Sequence, residues 1–497
     1  MKIKSFLRKK TYLLILILIL SISLFFRTYK VINRFNFDHD SDLYSWIVKD
    51  IVVNYHPRLI GQLTTAPGIF IGPIFYYFLV PFFLLFNMNP TGAIIPIVII
   101  GVLTVFSYFV VFSKLFNTKV GLIGSFLYAV LIREVELDRR VVPTTPTGIW
   151  VVWYFYTVMM IARGNFYVLP LLGILIGLIW HIHIALLPTL IAIPIAFLVS
   201  KKWPSVKQLI QFFVALILTN IPLIIFEVKH NFGQTYALLG NFVTKREGTT
   251  GINKFIEVAN MITKNVNTLM FQPQYFKVFD NIIFVLLIFL SAIFLIRKKL
   301  ISKSELIVLY SWIFGVYAFF SLSSSPISEY YFFNLEVIFI TIFSCFLYLL
   351  FKTSTTGRFL TIFILSVILI KNGYFYITQY YYHKGYLEKK LLVDVIKKDM
   401  LAKNYPCVGI SYITSPGENV GFRYLFYLKN ISLTHPSIEI PVYNIFIPEE
   451  LSKDKDTQKF GHVGLVLPKE KYSLEELQKI CSMGNTNLTD PLFGYVD

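Results

Sequence analysis

Residues 1–30 read MKIKSFLRKKTYLLILILILSISLFFRTYK, and this stretch decides the fold class. Five basic side chains among the first ten residues precede an uninterrupted apolar run, Leu13 to Phe26. A secretory signal peptide begins in the same way, but Arg27-Thr28-Tyr29-Lys30 stands where the small residues of a cleavage site are expected. The pattern therefore predicts an uncleaved anchor with a cytoplasmic N-terminus, because basic residues stay on the cytoplasmic side.

The composition of the whole chain agrees with a membrane protein. Of the 497 residues, 56% are hydrophobic and 15% are charged, and the mean hydropathy is +0.64. These values exclude a water-soluble enzyme. The net charge of +18 would suggest nucleic acid as a partner of a soluble protein. However, residues 384–497 carry 14 basic and 14 acidic residues, so the excess lies in the apolar part and no nucleic-acid partner is predicted.

Short basic connectors separate the apolar segments and are expected on the cytoplasmic side. One run, Ile69 to Phe86, would place the later connectors outside if it crossed the bilayer. We expect it to be a re-entrant or juxtamembrane segment within a first external loop, residues 27–92. The remaining runs predict an α-helical polytopic membrane protein with about eleven transmembrane helices: 13–26, 93–113, 120–132, 146–161, 166–180, 184–199, 208–226, 280–296, 304–320, 332–351 and 359–371.

The pattern predicts two domains, a transmembrane domain of residues 1–383 and a small extracytoplasmic α/β domain of residues 384–497. The second has strand-like segments at 408–413, 442–447 and 462–467. Because an exported compartment is oxidising, we also expect a structural disulfide between Cys407 and Cys481.

A dense group of acidic residues directly follows the first span. Asp38, Asp40 and Asp42 lie within five residues, beside His39. Crowded carboxylates raise one another's pKa, so one of them can act as a base near neutral pH. Two other interpretations stay open: a helix cap before Leu43, or ligands for a divalent metal such as Mn²⁺ or Mg²⁺.

Further polar residues stand at the ends of spans that the topology places outside. Between the third and fourth spans lie Arg139 and Arg140, on the outer side, where the positive-inside rule expects few basic residues. Guanidinium groups can bind phosphate in bidentate fashion, so these two residues are candidates for phosphate binding. The alternative is a cluster of ion pairs that neutralises itself. The other candidates on this side are His181, His183, His230, Glu329 and Tyr330.

The order of several short motifs resembles the C-type (GT-C) glycosyltransferases, which use lipid-linked sugars. The acidic motif at 38–44 is followed by GQLTTAPG at 61–68 and GPIFYY at 72–77. Trp180-His181-Ile182-His183, the segment 226–230 and Glu329-Tyr330-Tyr331 then look like motifs of the family 39-like branch. This branch includes protein mannosyltransferases and aminoarabinose transferases. The resemblance covers roughly residues 1–345.

The resemblance implies an inverting transfer from a polyprenyl-phosphate-linked sugar, of hexosyl or pentosyl type, at the outer face of the cell membrane. An acidic residue of the first external loop would deprotonate an acceptor hydroxyl, and we place this role on Asp40, with Asp42 and Asp38 as alternatives. The acceptor is left open, and no cofactor is required beyond a possible divalent metal. A lipid-linked-sugar transporter or flippase is the competing function, although a transporter would place charges near the bilayer midplane.

Overall fold

A computed structural model describes residues 2–64, 67–243, 248–271, 282–324, 326–379, 381, 383–470, 472–482 and 484–488. Thr65 and Ala66 of the GQLTTAPG motif lie outside the described residues. Short 3₁₀ segments occupy Pro90–Ala93, Ile184–Ile191 and Glu329–Leu335. The α-helices before residue 379 are α1 Lys2–Thr28, α2 His39–Val53, α3 Ile74–Leu85, α4 Ile94–Leu115, α5 Thr118–Val130, α6 Ile132–Leu137, α7 Thr147–Ala162, α8 Leu169–Ile182, α9 Ala192–Ser200, α10 Val206–Lys229, α11 Gly233–Val243, α12 Ile252–Phe271, α13 Ile282–Arg297, α14 Lys303–Leu322, α15 Glu336–Thr353 and α16 Thr355–Thr378.

Each apolar run that was predicted to span the membrane overlaps one of these α-helices, and the runs 184–199 and 332–351 begin in the 3₁₀ segments Ile184–Ile191 and Glu329–Leu335. By length and composition, six helical segments of the described chain are long and apolar enough to cross a bilayer: Lys10–Thr28, Pro90–Leu115, Val206–Lys229, Lys303–Leu322, Glu329–Thr353 and Thr355–Thr378. The polytopic helical fold is therefore confirmed, whereas the number of eleven spans stays a prediction.

The connectors that were predicted to share one side of the membrane do meet in the structure. Arg163, which follows α7, donates to Glu305 at the start of α14, with 2.6 Å between Nε and Oε1. Lys119 and Arg358 both lie over the ring of Phe351, at 4.5 and 5.9 Å. The bundle thus has one end where basic connectors gather, and the 27–92 loop lies at the other.

Helix α3 lies within the run that was predicted not to cross the bilayer. Its 12 residues reach about 18 Å at 1.5 Å per residue, well short of the roughly 30 Å of a hydrocarbon core. Its buried face packs on α2, where the rings of Tyr44 and Phe83 meet edge to face at 6.1 Å. The 27–92 loop is thus an ordered layer at the end of the bundle.

The C-terminal region, residues 384–497, contains the predicted small sheet. Its elements are α17 Tyr386–Ala402, β1 Val408–Thr414, α18 Arg423–Leu428, β2 Leu433–Thr434, β3 Val442–Ile447, β4 Gln458–Phe460, β5 Val463–Val466 and α19 Leu474–Cys481. The strands occur in the order β2-β1-β3-β5-β4, with β1 parallel to β2 and β3, and with β5 antiparallel to β3 and β4. The predicted disulfide between Cys407 and Cys481 is present and links the residue before β1 to the end of α19.

This region shares one hydrophobic core with the 27–92 loop. Trp46 of α2 packs edge to face on Tyr424 of α18 at 5.5 Å. The buried ammonium of Lys389 donates to the backbone oxygen of Phe37 at 2.7 Å, and burial lowers the pKa of Lys389 to about 8. Together the loop and the C-terminal region cover one end of the bundle, and the candidate site lies beneath them.

Candidate active site

A cavity of about 990 Å³ lies between the helical bundle, the 27–92 loop and the start of the C-terminal region. Its walls come from the beginning of α2, the segment that joins α6 to α7, the end of α8 and the chain that follows α16. It is lined by six of the residues predicted from sequence: Asp38, Asp40, Arg139, Arg140, His183 and Tyr330. The structure thus gathers residues from four separate motifs around one space.

The other four predicted residues lie outside this lining. Asp42 accepts a hydrogen bond from the backbone N–H of Tyr424 at 2.9 Å. His230 stacks on Phe226 with 4.1 Å between ring centres. Glu329 is exposed and forms an ion pair with Lys264. The fourth, His181, is buried within the bundle and is described below.

The carboxylate nearest the start of α2 acts as its N-cap. Asp38 has an extended backbone and accepts from the backbone N–H of Ser41 at 3.2 Å, and from the amide of Asn36 at 2.8 Å. This satisfies one of the N–H groups that the first turn of any helix leaves without a partner. The cap interpretation therefore holds for Asp38, which also faces the cavity.

Asp40 stands two residues further along the same helix and faces the cavity. The side-chain amide of Gln62 donates to its Oδ1 at 3.3 Å. Burial raises the pKa of Asp40 above its ordinary value, and the negative charge of Asp38 adds to this rise, while the hydrogen bond from Gln62 opposes it. A carboxylate with a raised pKa at a cavity wall is suited to accept a proton.

Gln62 is held in place by a buried tyrosine. The hydroxyl of Tyr76 donates to Oε1 of Gln62 at 3.1 Å and accepts from its backbone N–H at the same distance. Residue 61 must be glycine, because a Cβ there would stand 2.2 Å from the Tyr76 ring. The motifs at 61–68 and 72–77 thus form one unit that supports Asp40.

Two guanidinium groups lie beside each other on a second wall. Arg34 and Arg139 lie over the ring of Tyr376, at 4.5 and 5.5 Å from its centre. Burial, and then the charge of Arg34, lower the pKa of Arg139 to about 10, so Arg139 remains cationic at neutral pH. Arg140 lines the same cavity and is exposed. Adjacent cations that line a cavity favour an anionic ligand.

Two of the remaining charged residues of the 133–140 segment, Arg133 and Asp138, form internal pairs of the kind that the alternative interpretation expected. Arg27, fully buried at the end of α1, donates from Nε to Asp138 at 3.0 Å. Arg133 pairs with Glu336 of α15 at 3.1 Å. The ion-pair interpretation therefore holds for Arg133 and Asp138, although Asp138 also lines the cavity. The phosphate role of Arg139 and Arg140, which line the same cavity, stays a prediction.

The two histidines of the 180–183 turn point in different directions. His183 accepts from the backbone N–H of Ala185 at Nδ1, so its neutral ring carries the proton on Nε2 and can donate from there. The ring of Tyr330 meets it edge to face at 5.1 Å. His181 instead packs on Gly72, where a Cβ would stand 2.0 Å from its Nδ1. It therefore joins the bundle to the 27–92 loop.

No group of three or more His, Cys, Asp or Glu side chains in the described ranges is placed to hold a metal ion. Asp38 caps a helix and Asp42 reaches α18, so the oxygens of the acidic motif diverge. The residues do not form a ready ligand set for a divalent cation.

Sequence reasoning overlooked Arg34, Gln62 and Tyr376 as site residues. Arg34 and Gln62 belong to the 27–92 loop that was already singled out, and Arg34 is the cation nearest in sequence to the acidic motif. That proximity could have identified it. Tyr376 gives no such signal, because aromatic residues are common at the ends of spans.

Comparison with solved structures identifies the fold. A scan against protein-family models gives no match, and neither does a search of curated proteins. ArnT, an aminoarabinose transferase from Cupriavidus metallidurans, matches in its apo state with a TM-score of 0.56 and 9% identity, over 94% of this chain and 99% of ArnT. ArnT bound to undecaprenyl phosphate matches with a TM-score of 0.53 and 10% identity, over 93% and 98%.

The apo oligosaccharyltransferase of Archaeoglobus fulgidus has a TM-score of 0.49 and 12% identity, over 90% of this chain and 70% of that protein. The likeness to ArnT, which extends over nearly the whole of both chains, shows that this chain has the GT-C fold.

Proposed function

We propose that the protein is a membrane glycosyltransferase that moves a hexosyl or pentosyl unit from a polyprenyl-phosphate carrier to a hydroxyl acceptor. The observation that carries the proposal is the placement of Asp40 and of the cations Arg34, Arg139 and Arg140 around one cavity. This chemistry needs a base for the alcohol and cations for the departing phosphate. The fold shared with ArnT, which binds undecaprenyl phosphate, supports the same donor class.

The reaction follows from these positions. Asp40 takes the proton of the acceptor hydroxyl as its oxygen forms a bond to the anomeric carbon of the sugar. The bond between that carbon and the phosphate oxygen breaks, and the electron pair leaves with the polyprenyl phosphate. Arg34 and Arg139 stabilise the charge that develops on the phosphate. Attack from the face opposite the leaving group inverts the anomeric configuration.

His183 and Gln62 have supporting roles in this proposal. His183 can donate from Nε2 to a sugar or phosphate oxygen in the cavity. Gln62 orients the carboxylate of Asp40 through its amide. The proposal also places the cavity and the C-terminal region outside the membrane and the N-terminus in the cytoplasm, because the basic connectors gather at the opposite end of the bundle.

The experiment uses purified protein in vesicles with a radiolabelled undecaprenyl-phosphate sugar and measures label transferred to acceptor. Asp40→Asn should lower the rate by about 10² to 10⁴, the usual cost of losing a general base. Asp42→Asn is the matched control, since it is the same change two residues away. A wild-type rate in Asp40→Asn would show that Asp40 is not the base. Movement of intact donor across the bilayer without sugar transfer would favour a transporter instead.

A further inference from the structure

Two carboxyl groups in the wall of the cavity have no role in the proposed reaction. Glu134 of α6 and Glu336 of α15 both line the cavity. Both are buried, with 2% and 7% of the residue exposed. Arg133 lies beside them and forms an ion pair with Glu336 at 3.1 Å. Two carboxyls and one guanidinium group therefore share a small buried region at the cavity wall.

These three groups are electrically neutral only if the two carboxyls keep one proton between them. A side-chain hydrogen bond joins Glu134 to Glu336, so one of the two carboxyls must be the donor. Burial raises the pKa of Glu134 well above its ordinary value, the charge of Glu336 and this hydrogen bond raise it further, and Arg133 opposes the rise. The nearby Asp138 is already paired with Arg27. A ligand that reaches this wall therefore meets a neutral group.

Glu134 has acceptor capacity that the protein does not use. Apart from the carboxyl of Glu336, no group in the described part of the chain gives a hydrogen bond to its buried Oε1. A carboxyl has two oxygens, and the proton shared with Glu336 occupies only one of them. Buried polar atoms normally have partners, so this spare acceptor at a cavity wall indicates a ligand that donates a hydrogen bond.

Aromatic rings lie next to this carboxyl pair in the lining. Phe333 lies over the guanidinium of Arg133, at 4.5 Å from the ring centre, and Tyr330 meets His183 edge to face at 5.1 Å. All three rings line the cavity. Tyr330 is also within reach of the charge of Asp40, the proposed base. Apolar and aromatic walls with a few polar groups that fix orientation are typical of a small-molecule site. A sugar ring presents C–H groups to such walls and hydroxyls to a carboxyl.

We infer that Glu134 accepts a hydrogen bond from a hydroxyl of the donor's sugar, that Glu336 and Arg133 hold it in position, and that this wall selects a neutral sugar; the inference rests on the proposed function. Arg34 is the cation that acts most strongly on Arg139, whereas Arg133 acts on both carboxyls. The phosphate and the sugar thus meet different parts of the lining. A hydroxyl fills the spare acceptor directly, whereas an ammonium group on the sugar would have to displace the shared proton.

The test compares the lipid carrier with and without a sugar. Binding of bare undecaprenyl phosphate, and of undecaprenyl phosphate bearing glucose, mannose, arabinose or aminoarabinose, is measured with purified protein in nanodiscs. The wild type should bind at least one neutral donor more tightly than the bare carrier and the aminoarabinose donor. Glu134→Leu removes the acceptor and has a similar size. It should weaken binding of that neutral donor about tenfold, the effect of one lost hydrogen bond, without weakening binding of the bare carrier.

Two further variants at the same position refine the test. Glu134→Gln should recover most of the loss, because its amide oxygen accepts from a hydroxyl and its amide N–H replaces the proton shared with Glu336. Glu134→Ala also removes the acceptor and is used in case the leucine variant does not fold. The matched control is Glu136→Leu, since Glu136 lines the same cavity and accepts from Gln379 at 3.2 Å. It should change the affinities for the neutral donor and for the bare carrier by the same factor.

Three results would overturn the inference and leave the proposed function intact. Binding of the neutral donor and the bare carrier that is unchanged, or equally weakened, in Glu134→Leu and Glu134→Ala would mean that Glu134 has a structural role. A wild-type preference for the aminoarabinose donor, or a loss in Glu134→Gln as large as in Glu134→Leu, would mean that the wall binds a cationic group. Sugar-bearing carriers that bind the wild type no more tightly than the bare carrier would mean that no sugar site exists there. Failure of the wild type to bind any of these carriers would overturn the proposed function as well.

Discussion

The carboxylate of Asp42 accepts a hydrogen bond from the backbone N–H of Tyr424 at 2.9 Å, across 382 residues of sequence. Asp40, two residues earlier, faces the cavity instead. Residues two apart on an α-helix are separated by about 200° around its axis, so the two carboxylates of one short motif have different surroundings. Asp42 holds the C-terminal region against α2, and we assign catalysis to Asp40.

Substitution of Asp42 should affect stability rather than chemistry. Asp42→Ala leaves the N–H of the buried Tyr424 without this acceptor, which should cost about 1–3 kcal/mol. Asp42→Asn retains an acceptor oxygen and should be close to wild type. Limited proteolysis of the C-terminal region and thermal unfolding of the purified protein measure the difference. A fully stable Asp42→Asn that loses sugar transfer would make Asp42 a catalytic residue.

Removal of either guanidinium group on Tyr376 should weaken binding of the lipid phosphate. A charged hydrogen bond contributes about 1.5–3 kcal/mol, so Arg34→Ala and Arg139→Ala should each raise the Kd for undecaprenyl phosphate roughly 10- to 100-fold. Arg139→Lys should recover part of the loss, because it keeps the charge but not the bidentate fork. Binding is measured by competition with labelled lipid.

Arg358→Ala is the control for these variants, since Arg358 lies over Phe351 at the opposite end of the bundle. The double variant Arg34→Ala/Arg139→Ala should lose less binding free energy than the sum of the two single losses, because both cations share one ring and one proposed ligand. Unchanged affinity for undecaprenyl phosphate in both single variants would show that Arg34 and Arg139 do not bind the phosphate.

The helices and strands were predictable from sequence because their signals are local. Uninterrupted apolar runs, as in α4, need no knowledge of distant residues. The disulfide between Cys407 and Cys481 was predictable because the expected compartment left one pairing within the C-terminal region.

The different roles of neighbouring residues within one motif were not predictable, because these roles depend on contacts between residues that are distant in sequence. Sequence places His181 and His183 together, but only the packing of His181 on Gly72 shows which imidazole is left for the cavity. Likewise, only the structure shows that Asp138 pairs with Arg27, 111 residues away, while the neighbouring Arg139 lies over the ring of Tyr376. Arg34 was overlooked for the same reason, since its role depends on Tyr376.

The proposed topology predicts that the C-terminal region is accessible from outside intact cells. Lys455→Cys provides an exposed reporter in the loop before β4, whereas the hydroxyl of the neighbouring Thr457 is hydrogen-bonded to Ser452. The native cysteines give little background, because Cys345 is buried and the other two form the disulfide. An impermeant maleimide should label Lys455→Cys before lysis. Labelling only after lysis would show that the orientation is the reverse of the one proposed.

The pH dependence of sugar transfer should show that Asp40 is the base, because its neighbours Asp38 and Gln62 influence its pKa. The carboxylate form accepts the proton, so kcat/KM should fall as pH falls through the pKa of Asp40. Because burial and then Asp38 raise this pKa, the fall should occur at a higher pH than for an ordinary aspartate. The measurement is the acid limb of kcat/KM in wild type and in two variants.

The two variants should move this limb in opposite directions. Asp38→Asn removes the negative charge that raises the pKa of Asp40, and asparagine still caps α2, so the limb should shift to lower pH. Gln62→Ala removes the hydrogen bond that stabilises the ionised form, so the limb should shift to higher pH. A purely structural role for these neighbours would change the plateau rate and leave the position of the limb unchanged. Shifts in the same direction, or none in either variant, would mean that another group provides the base.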